Sequence, residues 1–272
     1  MRLEHEVRYL DTEWGSMRMI LVRPKAAAGR LFPGILWLHG GGYFEGGPEM
    51  VFGSKGMDAA RRFGAVLLSP DYRLSGTAPY PAALEDAYAA LLWLDKNRDE
   101  LCIDSIMVGG ESAGGGLCAA LCMLARDRGE VSVAFQTPLY PMLDCDDTET
   151  SRDNTSPIFW NTKRNHEAWK QYLGDLWGSD EIPPYASPAK QTDHSGLPPC
   201  YTFVARGEPF LAETLEYVKR LNEAGVEAHA DVFDADMHAF DVLFPWKKAA
   251  KEARASFLEH FENQFMKGRK ER

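Results

Sequence analysis

The 272-residue chain has no run of apolar residues long enough to cross a bilayer as a helix, which sets aside a membrane-spanning architecture. It is also short of positive charge. Lys and Arg number 30 against 40 Asp and Glu, giving a formal net charge of −10 and a pI near 5.2. Nucleic acid requires a basic footprint, so no nucleic-acid partner is expected, and an anionic membrane surface is disfavoured for the same reason. The surplus carboxylates read as a solubilising surface. Cysteine is sparse and scattered: Cys102, Cys118, Cys122, Cys145 and Cys200 form an odd set without a Cys-x-x-Cys pair. Neither a disulfide framework nor a zinc site is expected from them. Cys118 and Cys122 fall on one face of a predicted helix and read as core filler. The opening Met1-Arg-Leu-Glu-His-Glu6 is charged and lacks the apolar stretch of a signal peptide, so a cytoplasmic, reducing setting is the expectation. There is no internal repeat and no low-complexity tract.

A hydrophobic content of 45% can fill one large core, and a single domain over residues 1–272 is expected. Glu6–Leu10 and Met17–Val22 predict an opening hairpin. Gly34–Leu38 and Ala65–Ser69 are apolar runs of the kind found in parallel strands covered on both faces. Helices are predicted over Ser54–Phe63, Ala82–Asn97 and Leu211–Ala224, with further strands over Val131–Thr137, Cys200–Val204 and Glu227–Phe233. A last helix should lay Trp246, Ala250, Ala253, Phe257, Phe261 and Phe265 on the sheet, and Lys267 to Arg272 should fray. This alternation defines an α/β protein with a mainly parallel central sheet flanked by helices. Residues 140–199 break the pattern, being polar, aromatic and interrupted, with one helix predicted over Asn165–Leu176. The stretch is too long for a simple crossover, so a small lid inserted beside the site is expected.

The chain is organised around Ile106–Leu117. A short apolar strand passes through Gly110-Glu111-Ser112-Ala113-Gly114 into an Ala/Leu/Cys/Met-rich helix. Small neighbours let a serine occupy so sharp a turn, which raises its hydroxyl at the carboxyl end of a parallel sheet, where open α/β folds bind ligands. Alone the pattern is weak. A serine is a poor nucleophile without an adjacent base, an acid to orient that base, and fixed donors for the developing oxyanion. Ser112 is the candidate nucleophile, His238 after the final strand the candidate base, and Glu208 after another strand the candidate acid. His39-Gly40-Gly41-Gly42 follows an earlier strand, and the N–H groups of Gly41, Gly42 and Ala113 would form the oxyanion hole. Each part has a bland reading: a Gly-rich turn, a structural histidine, a carboxylate capping a helix. Their joint occurrence in the order Ser, acid, His, the order of the α/β-hydrolases, carries the assignment. Glu213, Asp234, Asp236 and Asp241 stay open as alternative acids.

These residues resemble the hormone-sensitive-lipase-like carboxylesterases, serine esterases on the α/β-hydrolase fold. The match runs through His39-Gly-Gly-Gly42, Asp71-Tyr-Arg-Leu74, Gly110-Glu-Ser-Ala-Gly-Gly115, Tyr185-Ala-Ser-Pro188, Leu197-Pro-Pro199, Glu208-Pro-Phe210 and His238-Ala-Phe240. The resemblance implies hydrolysis of short acyl esters through an acyl-enzyme, with no cofactor and no metal. It also implies that His39 and Asp71-Tyr72-Arg73 shape loops rather than react. Two departures stand out. Strand pattern starts within the first residues, so the family's N-terminal cap helices are expected to be absent and the mouth wider. The acid is Glu208, where the family more often has Asp.

Aromatic content near these motifs, Tyr43 and Phe44 beside the glycines and Phe159, Trp160 and Trp169 in the insertion, suggests a pocket limited to a small acyl group such as acetyl. Because imidazole must be neutral to act, activity should rise with pH through roughly 6–7. Gly114-Gly-Gly116-Leu-Cys-Ala119 fits a dinucleotide fingerprint, but four residues separate it from its strand and the next strand ends without an acid. A catalytically dead small-ligand-binding protein would lack the base. A peptidase or lipase on the same fold stays open. The expected partner is a small-molecule ester; the assembly is undetermined, with a homodimer among the options.

Overall fold

The computed structural model describes residues 2–25, 30–156 and 159–266. The expected hairpin is present and longer than its apolar core: β1 (Leu3–Thr12) pairs antiparallel with β2 (Gly15–Pro24) along its full length. Then follow β3 (Phe32–Leu38), α1 (Lys55–Phe63), β4 (Val66–Pro70), α2 (Ala82–Lys96), α3 (Arg98–Leu101), β5 (Ile103–Glu111) and α4 (Ala113–Arg128). The second half runs through β6 (Phe135–Leu139), α5 (Thr162–Leu173), β7 (Cys200–Ala205), α6 (Leu211–Glu223), β8 (Ala228–Phe233), α7 (Phe240–Leu243) and α8 (Lys248–Phe261).

All eight strands form one sheet in the order β1-β2-β4-β3-β5-β6-β7-β8. From β4 to β8 every pairing is parallel; among the described strands β2 alone runs against the rest, antiparallel to both β1 and β4. The reason lies in the sequence. Every residue of β3 is buried, so its side chains need cover on both faces, and only crossover helices provide that. Leu36, Leu38 and Val108 pack with Leu91 of α2, Leu117 and Leu121 of α4 and Leu221 of α6. On the other face Ile35, Trp37 and Met107 meet Ala59 and Ala60 of α1 and Phe257 and Phe261 of α8. Each fully buried large side chain stabilises the fold by about 1.5–3 kcal/mol.

Three sequence expectations shift. The strand expected over Val131–Thr137 is β6, displaced to Phe135–Leu139 and running through Pro138, whose carbonyl accepts from the Thr202 hydroxyl at 2.5 Å. Trp246 is not part of the α8 stripe; it precedes the helix and is 65% exposed, while Ala250, Ala253, Phe257, Phe261 and Phe265 are buried as expected. The helix expected from Asn165 begins earlier at Thr162, because the Asn161 side chain caps it by accepting from Arg164 N at 3.0 Å. Lys267 to Arg272 lie outside the described residues. Among the described residues no helix is long and apolar enough to cross a membrane.

Candidate active site

The loops that follow β3, β5, β7 and β8 leave the sheet at the same edge, and each brings one part of the site. Ser112 sits between β5 and α4 with φ 59 and ψ −120, a conformation that a non-glycine residue holds only when its surroundings fix it. Its N–H donates to Leu139 O, and its carbonyl accepts from Gly116 N and Met142 N, each at 3.0 Å. The flanking glycines are a steric requirement. A Cβ on Gly110 would lie 2.2 Å from Gly114 O, and one on Gly114 would lie 2.1 Å from Leu38 O.

His238 lies beyond β8, and Ala239 after it takes a left-handed φ of 55. The imidazole is buried, edge-on to Phe210 at 5.0 Å and Tyr140 at 5.1 Å between ring centroids. Its Nε2 is 2.8 Å from Ser112 Oγ, and its Nδ1 meets Glu208 Oε2 in a short contact. With the proton on Nδ1 facing that carboxylate, Nε2 is left to accept the serine hydroxyl. Glu208 is held from its other side too, Oε1 accepting from Ala205 N at 2.7 Å. Burial raises the Glu208 carboxyl above its ordinary range, and His238 and the Ala205 N–H oppose that rise.

None of the alternative acids reaches the imidazole. Glu213 turns away, accepting from Leu143 N at 2.6 Å and Asp144 N at 3.3 Å. Asp241 pairs with Lys55, and Asp234 and Asp236 are exposed. His39 stacks on Tyr72 with ring centroids 4.1 Å apart, its carbonyl accepting from the Tyr72 hydroxyl at 2.6 Å, while Arg73 forks onto Asp86 at 2.8 and 2.9 Å. Tyr72 thereby braces the start of the glycine loop through His39.

In that loop Gly41 takes φ 116, and a Cβ there would fall 2.0 Å from Glu45 O. Among the described residues the N–H groups of Gly41, Gly42 and Ala113 have no hydrogen-bond partner. Ser112 and His238 open onto a cavity of about 480 Å³ whose walls include Gly40, Gly41, Phe159, Trp160, Met50 and Val242. Of the five aromatics expected to shape it, Phe159 and Trp160 line it. Tyr43 does not: it is buried away from the cavity, stacked on Tyr172 at 3.8 Å, where its aromatic bulk fills core. Phe44 stands behind Trp160, with ring centroids 6.4 Å apart, and Trp169 is wholly buried beside Tyr43. Sequence reasoning missed Met50, Val242 and Leu243, whose only signal was that they are apolar residues just beyond site motifs.

A mainly parallel sheet carrying a serine on a strained strand-to-helix turn, with His and Glu on later loops, defines the α/β-hydrolase class. A family model described as alpha/beta hydrolase fold matches residues 35–242, and the chain belongs to that family. It is similar to the esterase LipI of Mycobacterium tuberculosis, 31% identical over 211 residues that cover 76% of this chain and 65% of LipI. The carboxylic ester hydrolase LipN of the same organism is 33% identical over 232 residues, 81% of this chain and 60% of LipN. The chain therefore spans less than two thirds of the length of these relatives. A solved bacterial heroin esterase superposes with a TM-score of 0.89 at 32% identity, over 96% of this chain and 84% of that one. The resemblance to hormone-sensitive-lipase-like enzymes is borne out.

Proposed function

We propose that the chain is a serine carboxylesterase acting on short-chain acyl esters, acetyl esters foremost, through an acyl-enzyme on Ser112. The observation that carries this reading is the hydrogen-bonded line from Ser112 Oγ through the His238 ring to Glu208, at the floor of an open cavity. His238 Nε2 takes the hydroxyl proton as Ser112 attacks the ester carbonyl. Glu208 holds the resulting imidazolium, and the N–H groups of Gly41, Gly42 and Ala113 receive the oxyanion. The imidazolium then protonates the leaving alkoxide, and water activated by the same Nε2 releases the acid and restores Ser112.

Support for a small acyl group comes from the wall above the oxyanion donors. A Cβ on Gly42 would lie 2.4 Å from the Trp160 ring, so the indole closes down on that side. On this reading residues 140–199 form a lid that supplies Phe159 and Trp160 within one domain. The Arg164 guanidinium stacks 5.6 Å from Phe44 and 5.5 Å from Trp160 and bonds Glu45 at 2.5 Å, tying lid to glycine loop. The test is a panel of p-nitrophenyl esters of graded acyl length, with acetylated sugars and a peptide anilide. Fastest turnover on acetyl and a steep fall by octanoyl are expected. Equal rates across the series would overturn the acyl preference, and turnover of the anilide alone would make the protein a peptidase.

A further inference from the structure

Beneath the Ser112–His238 pair lies a charge cluster that the chemistry above does not use. Lys55, the first residue of α1, is 4% exposed, and its Nζ is 2.5 Å from Oδ2 of the wholly buried Asp241 side chain. The Lys55 N–H also donates to Glu111 Oε1 at 3.4 Å, while Trp37 Nε1 donates to Oε2 at 3.3 Å. Glu111 immediately precedes Ser112, and Asp241 lies on α7 just after His238. One residue therefore holds the serine turn through its main chain and the histidine turn through its side chain.

Such an arrangement is costly. Each buried ion loses several kcal/mol of hydration, and well-packed apolar residues of the same volume are often at least as stable. Both turns it joins are strained, with non-glycine φ values of 59 at Ser112 and 55 at Ala239. Backbone of this kind persists where neighbours over-determine it. The Asp241 carboxylate faces the Lys55 ammonium and the Tyr140 hydroxyl. The groups facing the cluster are Lys55 and Asp58 from α1, Glu111 from β5, Tyr140 after β6, Glu208 after β7, and His238 and Asp241. Asp58 is engaged by Arg254 of α8 at 2.9 Å. Lys55 is thus the cation among several acids. Burial works against its charge, but Asp241 and Glu111 outweigh burial and hold the ammonium above its ordinary range.

We propose that Lys55 is a positioning residue for this site. It clamps the Glu111–Ser112 turn to the His238–Asp241 turn and balances the carboxylates of Asp241 and Glu111 beside them. The inference rests on the esterase reading but can fail separately from it. The test compares Lys55→Met, Lys55→Arg, Asp241→Asn and the Lys55→Met/Asp241→Asn double variant. For each, kcat, KM and the rate of Ser112 labelling by an alkyl fluorophosphonate are followed across pH, per titrated active site. In Lys55→Met, kcat should fall roughly 10²-fold from lost alignment, with KM nearly unchanged. The acid limb should move up by about one pH unit, because the uncompensated carboxylates favour imidazolium.

Lys55→Arg should recover most of the rate, and the double variant should move the limb back by removing the orphaned carboxylate. If Lys55→Met does not fold, Asp241→Asn decides: it should lower kcat and move the limb down. Variants that only reduce the number of active sites, with wild-type kcat and pH profile per site, would overturn the proposal and leave Lys55 a structural ion. A wild-type protein that neither labels nor turns over ester would instead overturn the esterase reading.

Discussion

The carboxyl edge of the sheet and the excursion over residues 140–199 face one cavity, yet they are held in place by different forces. At the sheet edge, backbone hydrogen bonds fix the residues on which the proposed chemistry depends: Ser112 N to Leu139 O, and Ala205 N to Glu208. Around Trp160 the excursion is held largely by side chains, with Arg164 against Glu45, Phe44 and Trp160 and with Tyr172 stacked on Tyr43. A strand end leaves a side chain little freedom, whereas stacked rings tolerate repacking at modest cost. On the proposed reading, reaction chemistry is therefore held by the rigid region and substrate choice by the adaptable one.

The comparison breaks if changes at the sheet edge alter acyl preference while leaving rate intact. Ser112→Ala and His238→Ala should each lower kcat roughly 10⁴–10⁶-fold, measured on p-nitrophenyl acetate. Glu208→Ala should cost roughly 10³–10⁴-fold, since serine and base remain. Glu213 makes an internal control five positions away. It is equally buried, and burial, opposed by the Leu143 N–H, holds its carboxyl well above the ordinary range. Glu213→Gln keeps an oxygen to accept from Leu143 N and Asp144 N, so kcat should stay within about threefold.

In the other region Trp160→Ala should raise the octanoyl-to-acetyl ratio of kcat/KM by roughly 10-fold while kcat on acetyl changes less. A smaller effect concerns stability. Burial, opposed by Lys55, pushes Glu111 from an ordinary 4.5 up to about 7. The folded state then binds more protons than the unfolded one between those values. The contribution is complete below about 4.5 and is lost as pH rises through about 7. Glu111→Gln should flatten that decline by up to ~3 kcal/mol, read from urea unfolding at the two ends of the window.

The sheet and its loops were legible because their signals are local. Continuous apolar runs mark β3 and β5, and glycines mark the points where chain segments touch, as Gly114 does against Leu38. The excursion was less so. Tyr43 and Trp169 look in sequence like any aromatics near a site, and only the packing of α5 decides that they are core while Phe159 and Trp160 line the cavity. Lys55 was invisible for the opposite reason. A lysine opening an amphipathic helix reads as exposed, and its burial follows from Asp241, far along the chain, arriving at the same place.

The most direct measurement is labelling of the intact protein by an alkyl fluorophosphonate, located by peptide mass spectrometry. One adduct is expected, on Ser112, that disappears in Ser112→Ala and forms at least ~10³-fold more slowly in His238→Ala. An adduct on another residue, or undiminished labelling of Ser112 without His238, would contradict the proposed mechanism.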